Sequence, residues 1–212
     1  MKGTLKYIDH KTAKDFLLPR HYSGRTPSIS QAFGWYFGND LKAVCTFGKP
    51  ASPYICKGIC GEKWSKNVYE LNRLCRTEDL SEPLSQFVSA CLRRLRPNNW
   101  IVVSYSDTQM THHGYIYQAC NFKYTGCTKP RTDIYTGEGN HSRHYSDEQK
   151  SSGVRKLRSA KHRYVYFATS NKRLKKQWND DLKYEEMPYP KGDQTNYELG
   201  TYIKDVLITE QL

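Results

Sequence analysis

The chain has 212 residues, of which 37% are hydrophobic and 13% aromatic, and its 33 lysines and arginines against 21 aspartates and glutamates leave a net charge of +12. This length suits one compact domain, and the charge favours a polyanionic partner such as nucleic acid. A membrane-spanning helix needs an apolar run of about 18 residues, and the sequence contains no such run. It also lacks an N-terminal signal peptide, and its seven scattered cysteines are typical of free thiols in a reducing cytosol.

The first part of the chain predicts strands alternating with helices. Apolar and β-branched runs predict strands at 5–8, 33–48 and 68–74, and amphipathic spacing predicts helices at 13–18 and 80–95. The segment 49–66 is rich in proline, glycine and lysine and predicts a loop. Glu70 interrupts an apolar strand, which is typical of a sheet edge or an ion pair, with an active-site role as the alternative.

The stretch 100–126 predicts a strand, a polar turn, a short helix and a further strand. The turn contains Asp107, His112 and His113 directly after the apolar run that begins at Ile101. A sheet often binds its ligand beyond the carboxyl end of a strand, so this turn is the candidate site.

The remainder of the chain is more polar and more basic. A strand is predicted at 163–169, a basic helix at 171–178 and a closing helix near 197–208. We therefore expect a catalytic core at 1–126. We expect 127–212 to be a basic extension that packs on the core and contacts DNA.

The predicted order of elements resembles the GNAT (Gcn5-related N-acetyltransferase) fold. Gly114 to Phe122 is similar to that fold's late helix, in which a tyrosine precedes a small residue and a phenylalanine opens the next strand. The resemblance implies an α+β fold class. Its central sheet would be mixed, mostly antiparallel and flanked by helices, here with a basic C-terminal extension.

A second resemblance extends over nearly the whole chain. It is carried by 21–23, 34–36, 44–48, 70–74, 104–107, 113–119, 161–167 and 188–191. These segments are similar, in this order, to the Mom family of phage DNA-modification proteins. The resemblance implies an enzyme that adds a small acyl or carbamoyl-type group to the N6 amine of adenine in phage DNA, which then escapes host restriction. It also implies double-stranded DNA as the partner and the cytoplasm of the bacterial host as the location, and a homodimer is an open alternative to a monomer.

The sequence departs from the GNAT pattern at the loop that binds the cofactor. GNAT enzymes hold the pyrophosphate of coenzyme A on a glycine-containing loop after the fourth strand. The corresponding segment 73–85 has no glycine and contains Glu78, Asp79 and Glu82, which would repel a phosphate. Acetyl-coenzyme A bound in the usual way is therefore not expected, and the acyl donor is left open. The Mom resemblance implies iron as a cofactor.

The resemblances imply roles for individual residues. Asp107 is the candidate general base or metal ligand, with a turn-forming aspartate as the alternative. Tyr117 matches the GNAT position that supplies a tyrosine general acid, with core packing as the alternative and Tyr115 as the fallback. Arg73 would bind the donor's anionic group. His21, Tyr22 and Asp107 are the predicted iron ligands, and Tyr22 is also a catalytic candidate.

Modification of a base in duplex DNA requires the base to leave the stack. Trp35, Tyr36 and Tyr105 are predicted to stack against it. Phosphate contacts are predicted from cations of the C-terminal third, namely Arg131, Arg143, Lys161, Arg163, Lys172, Arg173, Lys175 and Lys176. The alternatives are a non-enzymatic DNA-binding protein on a degenerate GNAT fold and a GNAT enzyme acting on a protein or small amine.

Overall fold

The computed structural model describes residues 3–135, 146–150, 154–193 and 206–209. The strands in these ranges are β1 (Thr4–Tyr7), β2 (Gln31–Phe37), β3 (Asp40–Gly48), β4 (Val68–Arg76), β5 (Trp100–Asp107), β6 (Lys123–Cys127), β7 (Arg131–Ile134), β8 (Val154–Arg158), β9 (Lys161–Ala168) and β10 (Leu207–Thr209). The helices are α1 (His10–Leu17), α2 (Pro53–Cys60), α3 (Leu84–Leu95), α4 (Tyr115–Ala119), α5 (Asp147–Lys150) and α6 (Lys172–Asp180), and a 3-10 helix follows α2 at Glu62–Asn67.

The central sheet has seven strands in the order β1-β2-β3-β4-β5-β9-β6. Every neighbouring pair is antiparallel except β4 and β5, which run parallel and are connected through α3. The predicted α+β class with a mostly antiparallel sheet is thus confirmed. A second sheet of three strands has the order β10-β8-β7.

The parallel strands β4 and β5 separate before they end. Their ladder extends from Val68, paired with Ile101, to Leu71, paired with Ser104. Beyond this point β4 continues to Arg76 and β5 to Asp107, so a cleft opens between them. The hydroxyl of Ser104 donates to the carbonyl of Leu71 at 2.9 Å and closes the narrow end of the cleft.

A β-bulge in β4 lies beside the same cleft. Thr46 of β3 pairs with Arg73, whereas the next residue, Phe47, pairs with Leu71, so Asn72 is an extra residue in β4. Such a bulge changes the direction of the side chains that follow it. Here it precedes Arg73, a predicted site residue.

Helices cover both faces of the central sheet because successive strand residues point to opposite sides. On one side, the α3 face, Val102 packs in the same cluster as Phe87 of α3. On the other side, the α6 face, Ile101 packs with Trp178 of α6. Helix α1 covers Val44 and its neighbours on the α6 face. The cleft between β4 and β5 therefore opens on the α6 face between α1 and the α2–α6 pair.

Three predictions about the chain's organisation are corrected. The segment 49–66 is not a loop, because α2 and the 3-10 helix lie within it and bury Ile59 and Cys60 against Trp178. The core does not end at residue 126, because β9 pairs between β5 and β6. Of the expected closing helix near 197–208, residues 207–209 are a strand, and 197–205 lie outside the described residues.

None of the helices in the described part of the chain has the length and apolar character that a membrane crossing requires.

Candidate functional site

The predicted catalytic residues meet at the cleft between β4 and β5. Arg73 comes from β4, Asp107 from the end of β5 and Tyr117 from α4 on the α3 face. The loop after α1 brings Tyr22 near enough for the charges of Arg73 and Asp107 to act on its phenol, and Tyr22 in turn acts on Tyr117. Residues from four separate elements thus share one site.

Asp107 is buried and its carboxylate is already hydrogen-bonded. It accepts the backbone N–H of Gln109 at 3.0 Å, the hydroxyl of Ser159 and the ammonium group of Lys161. Burial acts to raise the pKa of Asp107, but the hydrogen bonds from Lys161 and Ser159 outweigh it and lower the pKa. Asp107 is therefore ionised at neutral pH, and it both shapes the turn and fixes Lys161.

Lys161 and Arg163 were predicted to contact DNA phosphates, and the structure commits both to internal contacts. Lys161 is the partner of Asp107. The guanidinium of Arg163 lies 3.3 Å from the ring centre of Tyr184 and donates to the carbonyl of Thr125 at 2.6 Å. The reason is the position of β9 between β5 and β6, which places Lys161 opposite Asp107 and Arg163 beside Thr125.

Glu70, for which the sequence left an active-site role as the alternative, lies at the candidate site. It follows Tyr69, which packs on the α3 face, and so projects toward the α6 face at the cleft. Its carboxylate accepts no hydrogen bond within the described part of the chain. Burial raises the pKa of Glu70 to about 7, although the charges of Arg73 and Lys161 act to lower it. The signal in the sequence was a charged residue in an apolar strand; β4 is an internal strand, and Glu70 forms no ion pair within the described residues.

Arg73 lies half-buried beside Glu70. Its guanidinium donates to the carbonyls of Asn72 at 2.6 Å and Arg25 at 3.4 Å. Its Nε–H is buried and has no partner in the described ranges. This N–H is available to an acceptor atom in the cleft.

Tyr117 and Tyr115 project in different directions from α4. Tyr117 is half-buried, packs against Phe122 and Tyr164, and has its pKa raised by burial, so it stays protonated at neutral pH. The hydroxyl of Tyr115 donates to the carbonyl of Gly192 at 2.6 Å on the protein surface. Of the two tyrosines, Tyr117 is the one directed to the cleft, and Tyr115 anchors the segment that follows α6.

His21 and Tyr22 form a stacked pair with ring centres 4.4 Å apart. Burial, followed by the charges of Arg73 and His112, lowers the pKa of His21 to about 3, so its ring is neutral. The His21 Nδ1 atom lies 3.1 Å from the Ser23 backbone N–H, and its Nε2 atom has no hydrogen-bond partner in the described part of the chain. Burial and the charge of Asp107 raise the pKa of Tyr22 to about 12.

The predicted iron ligands lie in one region but do not form a ready metal site. His21 offers a neutral ring nitrogen, whereas each carboxylate oxygen of Asp107 already accepts a hydrogen bond. Within the ranges that the structure describes, no three His, Cys, Asp or Glu side chains converge in a metal-binding arrangement.

The predicted base-stacking residues are not equivalent. Trp35 is 6% exposed and stacks on Phe87 of α3 at 5.3 Å, so it is a core residue and its prediction is corrected. Tyr36 lies on β2, two strands away from β4, with Lys6 over its ring at 4.7 Å. Tyr105 is half-buried at the cleft, where burial and Glu70 raise its pKa. Tyr105 is the aromatic side chain of the three that borders the site.

The other predicted DNA contacts lie on the surface. The cations on α6 and β7 are exposed, and the set comprises Arg131, Lys172, Arg173, Lys175 and Lys176. Lys176 forms an exposed ion pair with Asp180 at 3.0 Å. Arg143 lies outside the described residues.

The segment between β4 and α3 is held by internal contacts instead of a glycine turn. The Thr77 N–H donates to the carbonyl of Lys42 at 2.8 Å, and Asp79 pairs with the Lys42 ammonium at 2.7 Å. No side chain caps the first turn of α3, which follows Pro83. An open cleft of about 320 Å³, lined in part by Arg76 and Ile116, separates this segment from α4.

The element order from β1 to β6 and the mostly antiparallel sheet define a GNAT-like α+β fold. Similar solved structures include an N-acetyltransferase from Staphylococcus aureus Mu50, with a TM-score of 0.49 and 10% identity over 80% of this chain and 100% of that chain. A GNAT family acetyltransferase from Elizabethkingia anophelis has a TM-score of 0.46 and 11% identity over 78% of this chain and 97% of that chain. These similarities are low, so the fold class rests on the element order.

The chain belongs to the Mom protein family, whose model matches residues 2–191. It is also similar to the methylcarbamoylase mom of Escherichia phage Mu, with 28% identity over 194 residues that cover 84% of this chain and 80% of that protein.

Proposed function

We propose that this protein transfers a small acyl or carbamoyl-type group to the N6 amine of adenine in phage DNA, protecting the DNA from host restriction. The observation that carries the proposal is the family match over residues 2–191 in a chain whose cleft brings together Glu70, Arg73 and Tyr117. The relative in phage Mu is named a methylcarbamoylase, which agrees with transfer of a carbonyl-containing group.

The N6 amine is a poor nucleophile because its lone pair is delocalised into the adenine ring. Attack on the carbonyl carbon of the donor forms a nitrogen–carbon bond and breaks the bond from that carbon to the leaving atom. We assign the N6 proton to Glu70, whose pKa of about 7 suits a base at neutral pH. Tyr117, which stays protonated, returns a proton to the leaving atom. The products are the N-acylated adenine and the protonated leaving group.

Arg73 and Lys161 have supporting roles in this proposal. The free Nε–H of Arg73 is assigned to the donor's carbonyl or anionic group, where negative charge develops during attack. Lys161 is held by Asp107 and places a positive charge near Glu70. This charge keeps the pKa of Glu70 from rising further. Asp107 thereby acts through Lys161 as a positioning residue.

Access to the N6 amine requires the adenine to leave the duplex stack. Tyr105 is assigned to pack against the displaced base because it borders Glu70 on the α6 face. The exposed cations of α6 lie on the same face and are assigned to DNA phosphates.

The Mom resemblance also implies iron, with His21, Tyr22 and Asp107 as the predicted ligands. His21 fits this role, whereas Asp107 fits only if the ion replaces Lys161 at its carboxylate. The proposed steps therefore use only side chains of this protein. The iron content of the purified protein, and its activity after chelation, test this prediction.

Mass spectrometry of nucleosides from the DNA of cells that express the protein tests the proposed function. We expect an added mass on deoxyadenosine that is lost in Glu70→Gln and Tyr117→Phe. Unmodified deoxyadenosine together with tight, salt-sensitive DNA binding would support a non-enzymatic DNA-binding protein instead. Weak DNA binding and an acylated protein or small amine would support a GNAT enzyme of another specificity.

A further inference from the structure

A second recess lies beside the cleft, formed by the segment that sequence reasoning took for a loop. It has a volume of about 510 Å³ and is lined by residues that include Lys49, Pro50, Pro53, Lys66 and Tyr69. Tyr69 is fixed in place because its ring stacks on Trp100 at 3.6 Å. The Lys49 ammonium group lies 3.7 Å from the centre of the Tyr69 ring, so the recess has a fixed aromatic floor with a cation over it.

The recess borders the proposed catalytic group. Gly48 of β3 pairs with Glu70, and the next residue, Lys49, lines the recess. Cys56 of α2 also lines it, and its thiol is close enough for the charge of Glu70 to raise its pKa, in addition to the larger effect of burial. A polymer that places one unit at Glu70 would thus place the adjoining unit at this recess.

The rim of the recess carries positive charge. Lys66 is exposed and has no ion-pair partner in the part of the chain that the structure describes. Lys57 is exposed and pairs with Glu62 at 2.7 Å, and such surface pairs are weak enough to exchange for a phosphate. Lys49 is used internally, because its ammonium group donates to the carbonyls of Lys66 at 2.6 Å and Val68 at 3.1 Å. Lys57 and Lys66 are therefore the cations available to an anion.

An exposed aromatic side chain belongs to α2, the helix that also supplies Pro53, Cys56 and Lys57 to the recess. Tyr54, the second residue of α2, is 84% exposed and follows Pro53, which lines the recess. Apolar contact does not account for a ring left in water, whereas aromatic side chains beside cations are the usual platform for unpaired bases. The platform is rigid because α2 packs on α6, where Cys60 contacts the carbonyl of the fully buried Trp178.

We propose that this recess binds the nucleotide next to the target adenine on the same DNA strand, with its base on Tyr54 and its phosphate between Lys57 and Lys66. The inference rests on the proposed function for the identity of the nucleic acid. It adds a binding site on α2 and the 3-10 helix, next to the cleft.

Fluorescence anisotropy with a short labelled DNA duplex that contains one adenine tests the site. We expect Tyr54→Ala to weaken binding about tenfold, because stacking of one base is worth about that factor, and Tyr54→Phe to bind as the native protein does. The double variant Lys57→Ala/Lys66→Ala should lower the slope of log affinity against log salt by about 2. Arg93→Ala/Arg94→Ala is the matched control, since it removes two exposed cations of α3, a helix that does not line the recess.

Two results would overturn the inference: native affinity in Tyr54→Ala, or an equal loss of salt dependence in the α3 control. A duplex with 5-iodouracil beside the adenine provides a second measurement that does not depend on affinity. The cross-linked peptide should contain Tyr54, and cross-linking confined to other peptides would contradict the site. Neither assay measures modification. Unmodified adenine in DNA from cells that express the native protein would therefore refute the proposed function, whereas the anisotropy and cross-linking results decide the binding site.

Discussion

Two acidic side chains at the cleft, Glu70 and Asp107, have opposite electrostatic environments. Burial acts to raise the pKa of both carboxyls. For Asp107 the hydrogen bonds from Lys161 and Ser159 outweigh burial, whereas the carboxylate of Glu70 accepts none in the described residues. A carboxylate without donors and with a pKa of about 7 is the better proton acceptor at neutral pH.

We expect Glu70→Gln to reduce kcat/KM for adenine modification by about 100-fold or more, the contribution typical of a general base. In the native protein kcat/KM should rise with pH up to about 7, as Glu70 loses its proton, and then level off. The variant should lose this rise. A pH profile unchanged by the substitution would place the base elsewhere.

The ionisation of the Glu70 carboxyl group also makes the stability of the fold depend on pH. The pKa of Glu70 is about 7 in the folded chain against an ordinary value of 4.5, so the folded state binds more protons between these values. The favourable contribution of Glu70 to the free energy of unfolding is complete below pH 4.5, and it is lost as the pH rises through about 7. Glu70→Gln should therefore raise Tm more at pH 8 than at pH 5 in calorimetry. An equal change in Tm at both pH values would show that the carboxyl is not desolvated.

At the scale of elements, the position of α4 depends on the glycine before its first turn. Gly114 has φ +74, and a Cβ added there would lie 2.5 Å from the ring of Tyr164. An alanine must therefore displace either Tyr164 or the start of α4, which carries Tyr117. This close contact connects one backbone position to the proposed general acid.

We expect Gly114→Ala to lower the free energy of unfolding by about 1–3 kcal/mol and to reduce activity, because the added methyl group overpacks a filled site. Gly38→Ala is the matched control, since Gly38 has φ +62 but no atom within 4 Å of its added Cβ. Gly38→Ala therefore introduces the strain of a positive φ at a residue with a side chain, but no steric overlap with a neighbouring atom. Equal activity in the two variants, measured with denaturation curves for both, would contradict a steric role of Gly114.

At the scale of the whole molecule, β9 joins the two predicted parts of the chain into one sheet. It is the partner of β5 on one side and of β6 on the other. Without β9, the central strand β5 would expose an edge, and β6 would lose its pairing in this sheet. The site also depends on β9, because it supplies Lys161 to Asp107.

A chain that ends at residue 126 should fail to fold, whereas one that ends at residue 193 keeps every described strand of the central sheet. Soluble yield and cooperative thermal unfolding by circular dichroism measure the difference. A cooperative transition in the shorter chain would show that residues 1–126 form an independent core after all.

The sequence by itself determined the α+β class, the region of the site, and the types and order of the elements from β1 to β6 except α2 and the 3-10 helix after it. These follow from local patterns of apolar residues and from the motifs that carry the family resemblance. It also brought Arg73, Asp107 and Tyr117 forward as candidates, and the fold places all three at the cleft.

Only the tertiary structure decided which side chains are available there. The pairing of β9 between β5 and β6 joins residues far apart in the chain, and no local pattern encodes that choice. That pairing engages Asp107 with Lys161, while the buried carboxylate of Glu70 accepts no hydrogen bond in the described residues. Burial and partners set the protonation state of a carboxyl group, and both are properties of the folded chain.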